Sequence, residues 1–403
     1  MTGRRVAITG IGVVSSIGIG AGAFRDGLRA GRSGARPITA FDTTGFDRTM
    51  GCEVTGFEAA DWLRVVDPAA LGRAGQFAAA AATMAVRDAG ADLDRLRAGH
   101  GLISMGTTDG GAPTLERLVA ADLAAEHGHR DPLLAAQVPA ARLGLDIATE
   151  LGLREVELCT LGTACSAGNY AIGNGFDAIR SGEADFALCG GADAMCRLTF
   201  TSFYRLGTIS PDVCRPFDAD RQGILTGEGA AVLLLEPWES AVARGARIYA
   251  ELLGYGLSCD AYHQVAPERA GIALGMTRAL ANAGIAPAQV DLISAHGTGT
   301  KANDVTETAA IREVFGEHPP RTVSLKSMLG HTMGAATALS VAACALAITE
   351  GFIPPTINHR VTDPECPIDC VPNTAVPARL RVVQSNGLAF GGNNAIVLLG
   401  AAA

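Results

Sequence analysis

The 403-residue sequence predicts an α/β fold. Short apolar runs of strand length recur between glycines, and Ala-rich stretches with helical spacing lie between several of them. The two halves also repeat one pattern: a strand runs into a turn that presents a reactive residue, and a helix follows.

In chain order, the first strand falls at residues 6–10, Val-Ala-Ile-Thr-Gly. A helix rich in alanine, the strongest helix former, follows at 76–89. Strands are read at 101–105 and at 156–160, where Val156, Leu158 and Thr160 alternate with Glu157 and Cys159. A helix at 167–180 sets Ala171, Ile172, Gly175, Phe176 and Ile179 on one face. Strands at 185–188 and 230–235 complete the first half. The second half reads as strand 290–295, helix 306–315, strand 322–325, the longest helix at 332–349, and strands 382–388 and 395–399. Residues 1–240 and 241–403 are thus expected to form two α/β halves, with central sheets covered by helices and one site between them.

Composition narrows the function. The chain is 48% hydrophobic and 18% charged, which suits a sizeable buried core. Net charge is -9 and no block of five basic residues occurs, so nucleic acid is not an expected partner. Ten cysteines include no Cys-x-x-Cys pair, which argues against a zinc ribbon. No signal stretch is read, and no apolar run reaches the ~18 residues that span a bilayer. A reducing cytoplasm with free thiols is the expectation. Gly10-x-Gly12 does not extend to a dinucleotide fingerprint, because position 15 is Ser. No metal or resident cofactor is expected for the chemistry.

Three residues stand at chemically useful places. Cys165, in Thr163-Ala164-Cys165-Ser166-Ala167-Gly168, follows a strand and opens a helix, where the helix dipole is expected to favour a nucleophilic thiolate. His296, in His296-Gly297-Thr298-Gly299-Thr300, and His331, in Lys326-Ser327-Met328-Leu329-Gly330-His331, emerge at carboxyl ends of strands, where α/β folds place ligands. His331 is read as opening the long helix. Two neutral imidazole N–H donors suit the enolate left when a malonyl group loses CO2. His100, His127, His129, His263, His318 and His359 lack such settings and are read as structural or exposed.

With these segments, Val6–Gly12-type, Arg215-Pro216-Phe217-Asp218, Gly227-Glu228-Gly229-Ala230 and Phe390-Gly391-Gly392-Asn393-Asn394 motifs in order, the chain resembles the β-ketoacyl-acyl-carrier-protein synthases of the thiolase superfamily along nearly its full length. The resemblance implies a thiolase-like fold of duplicated βαβαβ halves in a layered α-β-α-β-α sandwich. It implies Cys165 as acyl-accepting nucleophile and His296 and His331 as the decarboxylation pair. Lys326 resembles an active-site lysine that pairs with an acid, which Glu307 fits and for which Asp304 is a second candidate. Thr298 and Thr300 resemble the hydroxyls that meet the phosphopantetheine arm. The backbone N–H groups of Cys165 and Phe390 resemble an oxyanion hole, and Phe390 also resembles a gate.

Lys301-Ala302-Asn303-Asp304, Pro354-Pro355-Thr356-Ile357-Asn358-His359 and the 371–375 segment resemble ketosynthases of type II polyketide systems, which makes polyketide or polyene elongation the first expectation. The Thr-Ala-Cys-Ser-Ala context is nearer the fatty-acid type, the alternative. A non-catalytic chain-length-factor-like subunit is disfavoured by Cys165. The implied partners are an acyl carrier protein, which brings its phosphopantetheine arm, and a dimer mate, identical or a chain-length factor. Family docking often uses a basic cluster, for which this chain offers only Arg64 and Arg73 in the corresponding stretch. Asp109, in the segment that resembles the acyl-tunnel lining, is unexpectedly polar for a fatty chain.

Overall fold

Five strands from each half build the framework of this computed structural model, which describes residues 3–124 and 131–402; His127 and His129 lie outside the described residues. The first half contributes β1 Val6–Ser15, β2 Gly101–Gly106, β3 Val156–Leu161, β4 Phe186–Asp193 and β5 Gly229–Pro237. The second contributes β6 Ala250–Cys259, β7 Leu292–Ser294, β8 Arg321–Val323, β9 Val382–Gly387 and β10 Asn393–Gly400.

In space they run β3-β2-β4-β5-β1 and then β6-β10-β9-β7-β8. Each half therefore shows the same order outward from the junction: first, fifth, fourth, second, third. Strand senses repeat as well. The second strand of each half is parallel to both neighbours, and the remaining pairs are antiparallel. The halves join through a short antiparallel contact of Val6, Ala7 and Ile8 with β6.

The helices that matter are α1 Arg73–Asp88, α2 Arg142–Leu151, α3 Ala167–Ser181, α4 Arg197–Arg205, α5 Arg269–Ala283, α6 Lys301–Phe315 and α7 Ala335–Glu350. Helices α1 and α2 pack on strands of the first half, and α5 packs on strands of the second with α6 beside it. Helices α3 and α7 touch strands of both halves and form the central layer. The expected thiolase-like, five-layered arrangement is what the chain adopts. Its centre explains the composition of α7, where every residue from Ala335 to Ala347 is buried. A helix enclosed on all sides needs no polar face. Strands β1, β4 and β5 are likewise buried along their whole length, as strands covered on both faces must be.

Close approach between layers depends on glycine. A Cβ at Gly12 would lie 1.8 Å from the Ala81 carbonyl oxygen, and one at Gly10 2.1 Å from that of Ala85. These two positions share one face of β1, so α1 rests backbone against backbone on it.

The structure differs from the sequence reading in places. Strand β6 and helices α2, α4 and α5 were not foreseen. The long helix begins at Ala335 instead of 332, and a short helical turn, Lys326–Leu329, separates β8 from His331. His331 therefore does not open the helix. Its backbone bridges to Thr226, which fixes it in an extended segment. Among the described residues, no helix is long and apolar enough to cross a membrane.

Candidate active site

Strand β3 ends in a turn in which Ala164 takes a left-handed φ of 50°, and a single 3-10 turn, Ala164–Ser166, carries Cys165 into α3. A non-glycine residue held there marks an over-determined turn, common at functional sites. Cys165, His296 and His331 all line one cavity of ≈ 240 Å³, together with Thr298, Thr300 and Phe390. Residues far apart in the chain thus meet as the sequence predicts. All three side chains are buried. The two imidazole centroids stand 5.5 Å apart with rings 82° to each other.

The network assigns the tautomers. The Met333 N–H donates to His331 Nδ1 at 3.2 Å, so the proton of a neutral His331 sits on Nε2. The Lys326 ammonium lies 3.3 Å from His296 Nδ1 and donates to the His296 carbonyl at 2.6 Å. An ammonium has no lone pair, so His296 Nδ1 accepts and its proton too sits on Nε2. Burial first, then the charge of Lys326, holds both imidazoles well below the usual 6.5. Both are neutral donors at physiological pH.

Lys326 and Glu307 grip the same peptide from opposite sides. Glu307 Oε1 accepts from the His296 N–H at 2.8 Å, and Oε2 from the Gly297 N–H at 2.8 Å. Asn386 and Asn303 also donate to this carboxylate. The expected direct lysine–acid contact is replaced by this shared hold. Among the described residues Lys326 forms no ion pair, and Glu307 acts on it through space while burial lowers its pKa. Asp304 serves elsewhere: it accepts from the Phe217 and Gly299 N–H groups and lies 3.5 Å from Arg221. Thr298 and Thr300 share a hydroxyl contact of 2.9 Å on the cavity wall.

Burial works against the expected thiolate. Burial pushes the Cys165 thiol up to about 12, with Asp109 and Asp193 adding to the rise and Lys326 opposing it. In this setting loss of hydration outweighs the nearby cation and favours the thiol form. Arg64 and Arg73 are also spent internally: Arg73 bonds Glu228 and the Val54 carbonyl, and Arg64 bonds the carbonyls of Ala60, Asp61 and Leu63.

Phe203 and His263 are among the cavity residues that the sequence reading did not place there. Phe203, from α4, sits 6.1 Å from the His331 ring and 5.4 Å from that of Phe390. The spacing of Phe200, Phe203 and Tyr204 was the available signal for a helix face. His263 is exposed, as read, yet it lines the cavity. Its Nδ1 accepts from the Val265 and Ala266 N–H groups, which leaves Nε2–H as a donor. Asp109 lies in a second, smaller cavity with Met195, Cys196, Thr199, Phe200 and Met333. Burial and the neighbouring Asp193 push its carboxyl up to about 7.

Fold and site together define a carbon–carbon bond-forming acyltransferase. Residues 3–241 match the β-ketoacyl synthase amino-terminal domain, and residues 249–360 its carboxyl-terminal domain. The chain belongs to the β-ketoacyl synthase family. It is 39% identical to a putative polyketide β-ketoacyl synthase 1 of Streptomyces cyaneus, over 98% of each chain. Among solved structures, the ishigamide ketosynthase/chain length factor matches with a TM-score of 0.98 at 59% identity over 100% of both chains. A type II PKS acyl-carrier protein in complex with its ketosynthase, bound to the hexaketide, matches at 0.90 and 30% identity, again over 100% of both.

Proposed function

We propose that this chain elongates an acyl chain by decarboxylative Claisen condensation in type II polyketide or polyene assembly. The observation that carries the reading is the convergence of one thiol and two Nε2–H imidazoles on a single cavity. The Cys165 sulfur attacks the carbonyl of an acyl thioester on a carrier protein. The carbonyl oxygen is received by the backbone N–H groups of Cys165 and Phe390, and the departing pantetheine sulfur leaves with the proton that the thiol gives up. A malonyl-carrier thioester then enters past Thr298 and Thr300. Its carboxylate leaves as CO2, and the electron pair passes into an enolate whose oxygen accepts from His296 and His331. The enolate carbon attacks the Cys165 thioester, the sulfur leaves as thiolate and takes up a proton from water to restore the thiol, and a β-ketoacyl-carrier is released. The reading asks for no resident cofactor: the thioester activates one carbonyl and the departing CO2 supplies the carbanion equivalent. Lys326 and Glu307 hold His296 in place.

Relatives whose descriptions name a carrier protein and a chain-length factor support those two partners, the second as mate in a dimer. Asp109 supports a chain that tolerates polarity, since a carboxyl near its charging point suits a saturated fatty chain poorly. Ten free cysteines fit a reducing cytoplasm. The division into two halves near residue 240 is part of the same reading, each half supplying one side of the site.

Incubation with an acyl-carrier thioester, followed by intact and peptide mass spectrometry, tests the nucleophile. The acyl group is expected on Cys165, and C165A should take none while still releasing CO2 from a malonyl-carrier. An acyl group found on another residue refutes the assignment. H296A and H331A should each slow CO2 release by about 10²–10³-fold, the scale of an oxyanion-donor deletion.

A further inference from the structure

The carboxylate at the end of β4 belongs to no part of the mechanism above. Asp193 is fully buried. Its Oδ1 accepts from the Thr107 hydroxyl at 2.6 Å and the Asp109 N–H at 2.9 Å. Its Oδ2 accepts from the Thr108 N–H at 3.0 Å and the Gly334 N–H at 2.6 Å. Four groups that can only give, or here do give, a proton converge on it, which matches an ionised, acceptor-only carboxylate. Burial acts the other way and raises its pKa.

The Gly334 peptide is where three chain segments meet. Its N–H is held by Asp193, and its carbonyl accepts from the Gly168 N–H at 3.1 Å, in the first turn of the helix behind Cys165. The preceding residue, Met333, has a left-handed φ of 51° and supplies the N–H that fixes His331 Nδ1. The packing has no slack: a Cβ at Gly334 would fall 2.6 Å from Thr107, and one at Gly191 2.7 Å from the Gly334 carbonyl oxygen.

We propose that Asp193 is a positioning residue whose carboxylate pins the Gly334 peptide and thereby sets the placement of the His331 imidazole relative to Cys165. The inference rests on the roles given to His331 and Cys165 above. Because Asp193 also ties down residues 107–109, it registers the wall of the second cavity against the same point. Replacement by Asn exchanges one acceptor oxygen for an NH2 donor, so with donors on both sides one edge of the cluster loses its partner, and the hold on the Gly334 N–H weakens and lets Met333 shift. A misplacement near 1 Å in such a site costs on the order of 100-fold in rate.

The test measures CO2 release from a malonyl-carrier thioester by the full chain in D193N and T107V, with H331A as reference and a melting curve for each. D193N should lower kcat about 100-fold with KM within about twofold, because Thr298 and Thr300 lie on another loop. T107V removes the hydroxyl that steadies the carboxylate and that also accepts from the Gly110 N–H, and should lower kcat by roughly 3- to 10-fold with KM unchanged. It decides the question alone if D193N does not fold. Wild-type kcat in T107V, or in folded D193N, overturns the proposal. So does a fall in kcat matched by a rise in KM, which marks general loosening of the site. Normal CO2 release by H331A removes the reading underneath instead, whatever the other variants do.

Discussion

At the scale of single residues, burial dominates the acid–base behaviour of the site, and its sign differs for thiol and imidazole. Desolvation disfavours charge, so it raises Cys165 and lowers His296 and His331. With the thiol pushed up to about 12, the thiolate fraction keeps growing through the alkaline range. Alkylation of Cys165 by iodoacetamide should therefore rise about tenfold per pH unit from pH 7 to 10, without the plateau an ordinary cysteine shows near 9. The imidazoles run the opposite way. Both are already neutral above their lowered pKa values, so CO2 release should stay flat as pH falls from 8 to 6.5. A half-maximal loss centred at or above 6.5 in C165A, where the thiol is absent, would show that the histidines titrate as exposed groups. The sequence made these three residues visible because each follows a strand and is flanked by glycine or alanine. It pointed to a thiolate where burial favours the thiol, since helix position can be read locally but the depth of burial cannot. His263 and Asp193 were invisible for a related reason: the first faces the cavity only through the placement of its loop, and the second acts only through peptides brought to it by folding.

At the scale of elements, the two halves use one device twice. Gly10 and Gly12 let α1 settle on β1, and Gly254 and Gly256 let α5 settle on β6, where a Cβ at Gly256 would lie 2.3 Å from the Ala279 nitrogen. This explains why β1 was read and β6 was not. The buried face of β6 carries Ala250, Leu252, Gly254, Gly256 and Ser258. Four of these five are small, so the period of two that marks a strand is present in burial but absent in hydrophobicity. The flanking strand residues of β1, by contrast, are Val, Ile and Val. Helix α5 was missed by the same blurring, because Gly271 and Gly275 interrupt its apolar face, whereas α2 carries a regular face of Leu143, Ile147 and Leu151 that the reading passed over. G12A and G256A should each force a helix away from its strand and cost about 1–3 kcal/mol, the usual penalty of overpacking a tight contact. Urea unfolding checks this: the midpoint should fall while the slope stays unchanged. Equal midpoints for variants and parent would mean that the interlayer spacing is soft.

At the scale of the whole molecule, the two outer strands are not alike. The edge at β8 is three residues long and begins with the exposed Arg321, a short and charged edge that discourages pairing. The edge at β3 is six residues long, with Leu158 45% exposed, and α2 beside it shows Leu145 at 43%. A strand edge of that length, with Glu157 as its one charged residue, is a pairing surface unless something covers it. The same strand runs straight into the turn that presents Cys165. Pairing along β3 would therefore stiffen the base of the nucleophile, and the dimer mate proposed above has a physical reason to sit there, whether it is a second copy or a chain-length factor. L158D places a carboxylate on that edge, where burial against a partner strand would be costly. Light scattering after size-exclusion chromatography should show the parent as a dimer and L158D shifted to the mass of one chain, with Cys165 acylation slowed in step. An L158D protein that stays dimeric and acylates at the parental rate would move the interface away from β3 and leave the turn at Cys165 to be held by its own half alone.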